Sequence, residues 1–166
     1  VINIEEKLIS IIMPSYNCER FIKEAIMSVV DQTYKSWELI IIDDGSKDNT
    51  VKIIEELKNK DKRIRFYKNR ENQGVSATRN RGISLAKSEW IAFLDSDDRW
   101  KKDKLEKQLE YAKNTNAEFL FTGASYINAE GLYYEGLFEI PHQVTFKNLK
   151  KHNVISCSSV LIKKKF

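Results

Sequence analysis

Short β-rich apolar runs alternate with stretches of helical period from the start of the chain to about Arg99. That alternation predicts an α/β domain with a mainly parallel, Rossmann-like sheet and helices on both faces. Leu8–Met13 reads as the first strand, closed by Pro14, and Ile22, Ala25, Ile26, Val29 and Val30 then share one helical face. Trp37–Ile42 is the second strand. After Asp43–Ser46 a helix is expected from about Asp48 to Asn59, with Val51, Ile54 and Leu57 inward and Asp48 placed to cap its free amides. Ile64–Lys68 is the third strand, broken by Asn72–Gly74, and a helix from about Val75 to Ala86 leads to a fourth strand, Trp90–Leu94.

Beyond Arg99 the pattern changes. A helix is expected from about Lys102 to Asn114, with Leu105, Leu109 and Ala112 on one face, followed by a strand over Phe119–Ile127. Glu130-Gly131 supplies a hairpin turn into Leu132–Phe138, and a short helix near Phe146–Lys151 precedes a last strand, Ile155–Ile162. A sheet of this class has both faces covered. A chain stopping in Lys163–Phe166 just after a strand therefore reads as a piece of a larger protein, with that strand open to self-association. Residues 1–166 form one domain, without repeats or Pro/Gly-rich linkers to divide it.

Composition narrows the class. With 42% hydrophobic and 31% charged residues the chain can bury a core, and its longest apolar runs are strand-sized, too short for a membrane span. Val1–Lys7 carries Glu5 and Glu6 and has no secretion-signal pattern, so the expected compartment is the cytoplasm. Cys18 and Cys157 make neither a disulfide framework nor a zinc site and read as free thiols. A net charge of +4 falls short of the basic stripe of a nucleic-acid binder, so no nucleic-acid partner is expected.

In a parallel sheet, Pro14–Asn17, Asp43–Ser46, Asn72–Gly74 and Asp95–Asp98 all gather at the carboxyl edge, where open α/β sheets bind ligands. Carboxylates as close as Asp95, Asp97 and Asp98 repel, and a divalent cation relieves that repulsion. Oxygen ligands favour Mg²⁺ or Mn²⁺, and Mg²⁺ is commonly shared between one or two carboxylates and substrate phosphates. The competing reading has Asp97 and Asp98 merely capping the next helix. Asp43 is equally a turn residue or a site residue. Asp44 is expected to project toward the pocket and accept the imide N–H of a uracil-type base, with Tyr16 offering a stacking face. Gly74 at a helix start and Arg79 one turn in suit an anion. Arg81 reads as solvated, and His142 and His152 as surface residues.

Together these stretches form an ordered set: Met13-Pro14-Ser15-Tyr16-Asn17, Asp43-Asp44-Gly45-Ser46-x-Asp48-x-Thr50, Asn72-x-Gly74, Ala77-x-Arg79-Asn80-x-Gly82 and Phe93-Leu94-Asp95-Ser96-Asp97-Asp98. The set resembles the family 2 glycosyltransferases from about Leu8 onward. The resemblance implies a GT-A fold, a nucleotide-diphospho-sugar donor with a UDP-sugar favoured, a Mn²⁺ or Mg²⁺ ion, and inverting transfer to a saccharide or lipid-linked acceptor. It further implies bacterial surface polysaccharide synthesis, with peripheral association at the inner face of the membrane. By position, Pro14, Tyr16, Asn17, Asp44, Arg79, Asp95 and Ser96 correspond to donor-binding residues. Asp97 corresponds to the direct metal ligand, Asp98 to an adjacent contributor, and Ser156–Ser159 to an acceptor-side strand. Direct displacement needs a base for the acceptor hydroxyl, and the resemblance places it downstream of Phe166. A nicotinamide enzyme would want G-x-G-x-x-G after the first strand, where Pro14–Asn17 stands instead. A non-catalytic nucleotide-sugar-binding domain and a metal-dependent phosphatase remain as alternatives.

Overall fold

Successive side chains of a strand point to opposite faces, and in the computed structural model this sorts the apolar runs into two layers. Residues 7–137, 144–151 and 153–164 are described; Phe138, His142 and His152 lie outside them. The elements are β1 (Ile9–Ser15), α1 (Ile22–Val30), β2 (Trp37–Asp43), α2 (Thr50–Lys58), β3 (Ile64–Lys68), α3 (Val75–Leu85), β4 (Trp90–Phe93) and α4 (Lys104–Thr115). There follow β5 (Phe119–Leu120), β6 (Ser125–Ile127), β7 (Tyr133–Leu137), α5 (Phe146–Lys151), a 3₁₀ turn over Cys157–Ser159 and β8 (Leu161–Lys163).

Ile9, Ile11 and Met13 of β1 and Leu39 and Ile41 of β2 meet Ile22, Ala25, Ile26 and Val29 of α1 in the larger core. The alternate residues Ile12, Ile40, Ile42 and Ile91 face the other way, against Ile83 and Leu85 of α3. Burial on both faces explains why these strands are apolar at nearly every position. At Gly82 a Cβ would stand 2.5 Å from Ile12 Cγ2, so α3 approaches β1 at a distance only glycine permits.

The main sheet has six strands in the order β3-β2-β1-β4-β8-β5. β1 through β4 are mutually parallel, with Ile11 opposite Leu39 and Ala92. Pro14 is a residue of β1 rather than its stop, aligned with Ile42. The Ile12 carbonyl accepts from the N–H of Leu94, just past the end of the neighbouring β4. By the two-residue period, Pro14 lacks its N–H on that same side, beyond the end of β4, so no ladder bond is lost.

The end of the chain departs from expectation. Phe119–Ile127 is not one strand: β5 stays in the main sheet, and β6 pairs with β7 in a separate hairpin. Asn128 Oδ1 accepts from the Glu130 and Leu132 amides, and Gly131 has φ +79°, so the expected turn at Glu130-Gly131 is present. Ile155–Val160 is loop and 3₁₀ turn, and only Leu161–Lys163 is strand. β8 runs antiparallel between β4 and β5, paired on both sides, so the last strand is internal rather than an open edge.

A polar cluster stands near the opposite, amino end of the strands. Buried Glu38 accepts from Ser10 Oγ at 2.6 Å, Lys87 N at 2.8 Å and Arg65 Nη1 at 2.6 Å. Burial alone would raise its pKa; these donors outweigh burial and hold it below the usual carboxylate range. Among the described residues, no helix is long and apolar enough to cross a membrane.

Candidate active site at the carboxyl edge of the sheet

The ends of β1 and β2 are fastened by side chains that replace missing backbone partners. Asn17 adopts φ +46°, which asparagine tolerates better than most residues. Its amide donates to Ser46 Oγ at 2.9 Å, and its Oδ1 accepts from Lys47 N at 2.8 Å. Asp48 stands one residue ahead of Asn49, the N-cap of α2, and accepts from Thr50 N at 3.0 Å and from Glu19 N at 3.1 Å. Asp43 accepts from the Gly45 and Ser46 amides and from Ser46 Oγ, so it serves the turn. Tyr16 stays 48% exposed beside these loops, its ring open to a ligand.

Asp44 is directed differently from expectation. It is 4% exposed, and its two oxygens accept from Asn69 Nδ2 at 2.6 Å, Gln73 N at 3.0 and 3.1 Å, and Gly74 N at 2.9 Å. The carboxylate faces the Gln73 and Gly74 amides just ahead of α3 instead of projecting over the edge, Gly74 being the N-cap, whose N–H has no partner within the helix. Burial would raise the Asp44 pKa, but the Asn69 side chain and the two loop amides bring it below the usual range. Gly74 has φ +85°, and nothing lies within 4 Å of where its Cβ would be, so backbone conformation rather than crowding demands glycine there.

Arg79, one turn into α3, donates from Nη2 to Asp95 Oδ1 at 2.6 Å, while its Nε is buried without a partner. Burial disfavours the charged guanidinium, and the Asp95 pairing more than restores it. Ser96 is half-buried in the same loop, close enough to the Cys18 thiol to oppose the rise in pKa that burial imposes on it. Asp97 is exposed. Asp98 is half-buried and accepts from Ser158 Oγ at 2.5 Å, so it does not cap α4, whose own N-cap is Asp103. Burial raises the Asp98 pKa, the Ser158 bond opposes this, and the charges of Asp97 and Asp95 add to the rise. Arg81 is not solvated as expected: Nη1 donates to the Lys68 carbonyl at 2.8 Å and to Asn69 Oδ1, joining α3 to the end of β3.

The structure thus joins Asn17 to the loop after β2, Asp44 to Asn72–Gly74, and Arg79 to Asp95, all along one edge. Among the described residues no three His, Cys, Asp or Glu side chains converge on one cation position. One exposed carboxylate with a second beside it is a hard-oxygen set that fits Mg²⁺ or Mn²⁺ only if a ligand supplies further oxygens. Beside Asp97 and Asp98 a cleft of about 290 Å³ opens between Phe21, the N-cap of α1, and Glu24 on one side and Tyr126 and Asn128 at the hairpin on the other. Arg99 spans it, donating to Glu24 Oε2 at 2.7 Å and approaching the Gly131 carbonyl at 3.5 Å. A larger hollow of about 520 Å³ lies away from this edge, on the apolar sheet face formed by Ile91, Phe93, Phe119 and Ile162.

A parallel α/β core with acidic and basic groups gathered at the carboxyl ends of its strands, and reversed strands completing the sheet, defines a GT-A type domain. Residues 10–164 match the family model described as glycosyl transferase family 2, and the chain belongs to that family. It is 40% identical over 155 residues to the putative teichuronic acid biosynthesis glycosyltransferase TuaG of Bacillus subtilis (strain 168), covering 93% of this chain and 62% of TuaG. It is 39% identical over 159 residues to WfgD of Escherichia coli, a UDP-Glc:α-D-GlcNAc-diphosphoundecaprenol β-1,3-glucosyltransferase, covering 95% of this chain and 61% of WfgD. The chain therefore spans less than two thirds of these relatives. The crystal structure of S. aureus TarS 1–349 in complex with UDP superposes with a TM-score of 0.64 at 29% identity, over 68% of this chain and 34% of that one. A UDP-GlcNAc complex of TarS 1–349 matches equally well.

Proposed function

We propose that this chain is the donor-binding part of an inverting glycosyltransferase that takes a UDP-sugar with Mn²⁺ or Mg²⁺. The observation that carries the reading is the Asp95–Asp98 loop. It leaves Asp97 exposed at the carboxyl edge while Arg79 and Ser158 hold its neighbours. The UDP and UDP-GlcNAc complexes of TarS support the donor class.

Asp97, with Asp98 beside it, would hold the cation, which when bound supplies positive charge against that developing on a departing diphosphate. Pro14, Tyr16 and Asn17 form the wall where a nucleobase stacks. Asp44 acts on that pocket through the Asn72–Gly74 loop it holds in place. Arg79 sits one turn inside a helix start, where its charge and the unpaired amides favour an anion; Asp95 and Ser96 complete the floor. The reaction also needs a base for the acceptor hydroxyl, and we assign that role to a segment corresponding to the part of TuaG and WfgD that this chain does not span. The same relatives support a saccharide or lipid-linked acceptor in bacterial surface polysaccharide synthesis; our reading adds that it is reached at the inner face of the membrane.

Titration calorimetry with UDP tests the donor site. Binding should be tighter in Mn²⁺ than in EDTA, and Asp97→Ala should abolish that difference while leaving the EDTA affinity unchanged. Equal affinity in both buffers for the unmutated chain would refute the metal–diphosphate reading.

A further inference from the structure

We infer that Ser158, far along the chain from the acidic loop, is the positioning residue that holds that loop in the shape a cation needs. The inference rests on the donor reading above. Its hydroxyl bridges the two ends of the loop: Asp95 N–H donates to Ser158 Oγ at 3.0 Å, and Ser158 Oγ–H donates to Asp98 Oδ2 at 2.5 Å. The loop closes its own turn through Asp98 N to the Asp95 carbonyl at 3.1 Å. A serine hydroxyl has one donor and two acceptor sites, so one side chain fixes a backbone amide and a carboxylate together.

Ser158 is itself held from behind. It is buried at 7% exposure in the 3₁₀ turn Cys157–Ser159. Trp100 Nε1 donates to its carbonyl at 2.7 Å, and Gln108 Nε2 donates to the Ser159 carbonyl at 3.0 Å. Lys104 Nζ in turn donates to Gln108 Oε1 at 2.6 Å. The turn is thereby anchored to the far side of the Asp95–Asp98 loop, through Trp100 and α4, before it reaches back to that loop.

The consequence is a division of labour among the carboxylates. Arg79 neutralises Asp95 and Ser158 occupies Asp98 Oδ2, so Asp97 is the exposed carboxylate, with Asp98 Oδ1 left beside it, on a loop whose backbone is pinned. Partners that orient a metal-binding carboxylate typically affect metal affinity by about 10–100-fold. Without the hydroxyl, Asp95 N–H loses its acceptor and Asp98 its donor, and the loop opens to conformations that do not present Asp97.

Ser158→Ala and Ser158→Thr decide the matter, with Trp100→Phe as an indirect variant that removes the Nε1 donor together with part of the buried indole ring. Free Mn²⁺, followed by its paramagnetic resonance signal in the presence of saturating UDP, should report about 10–100-fold weaker metal binding in Ser158→Ala. Ser158→Thr should restore it to near wild type, and Trp100→Phe should fall between. UDP affinity in EDTA should not change. In metal-free protein, hydrogen exchange at the Asp95 amide should be faster in Ser158→Ala and slow again in Ser158→Thr. Mn²⁺ affinity within twofold of wild type in Ser158→Ala, or unchanged Asp95 exchange, would overturn the inference. A wild-type chain without metal-dependent UDP binding would overturn the donor reading and the metal consequence drawn from it; the exchange measurement needs no ligand and judges the clamp independently.

Discussion

Asp44→Asn isolates the main departure of the site from expectation, because it keeps the shape of the side chain and changes only what the second oxygen can do. The best orientation of the amide keeps its oxygen toward Asn69 Nδ2 and Gln73 N, and turns its NH₂ toward the Gly74 N–H that now donates to Asp44 at 2.9 Å. The Gly74 N–H keeps only its longer bond to Asn72 Oδ1 at 3.2 Å, and two donors face each other in a site only 4% exposed. A hydrogen bond to a charged group contributes about 1.5–3 kcal/mol, and a buried donor turned against another donor costs about 1–3 kcal/mol. The expected loss at pH 7 is about 2–4 kcal/mol, a large part of the roughly 5–15 kcal/mol by which a domain is folded. Urea denaturation should show a lower midpoint at unchanged slope. The folded-state pKa of Asp44 lies below its ordinary value, so its stabilisation is present above the unfolded carboxyl pKa and lost as pH falls through the folded one. The variant lacks that term, and the two stability curves should converge in acid. Because Asp44 holds the Asn72–Gly74 loop, preference for UDP over CDP should weaken as Gly74 exchange accelerates. A stability change under about 0.5 kcal/mol at pH 7, or unaltered Gly74 exchange, would refute the positioning role.

Gly82→Ala should destabilise by about 1 kcal/mol or more despite the better helix propensity of alanine, because its Cβ would meet buried Ile12 Cγ2 at 2.5 Å. A double-mutant cycle with Ile12→Ala should show coupling, and a variant as stable as wild type would sink the packing argument. Lys104 is 7% exposed, and burial lowers its pKa to about 7. The unfolded chain keeps that proton to higher pH, so stability should rise between about pH 7 and 10. Lys104→Met should flatten that rise and raise the melting temperature at pH 6; an unchanged pH profile would show that Lys104 stays charged in the fold.

Strand and helix periods, the polar breaks after each strand, and hence the gathering of Tyr16, Asn17, Arg79 and Asp95–Asp98 at one edge were legible in the sequence. Periodicity encodes which face a residue occupies, and parallel order carries every strand end to the same side. The amino acids alone gave no sign of how far a polar side chain reaches once elements pack. Asp44 faces α3 because unpaired amides lie there; Arg81 is drawn to the Lys68 carbonyl; Glu38 is held by Ser10 and Arg65 across adjacent strands. On α4 the buried side is Lys104, Leu105, Gln108 and Ala112, a stripe that includes two polar residues because the Cys157–Ser159 turn needs a donor there. The antiparallel course of β8, and with it the placement of Ser158 against Asp95 and Asp98, is a tertiary decision. Strand propensity sets neither direction nor neighbour, and a hydroxyl sixty residues away becomes part of the acidic loop only when the sheet is assembled.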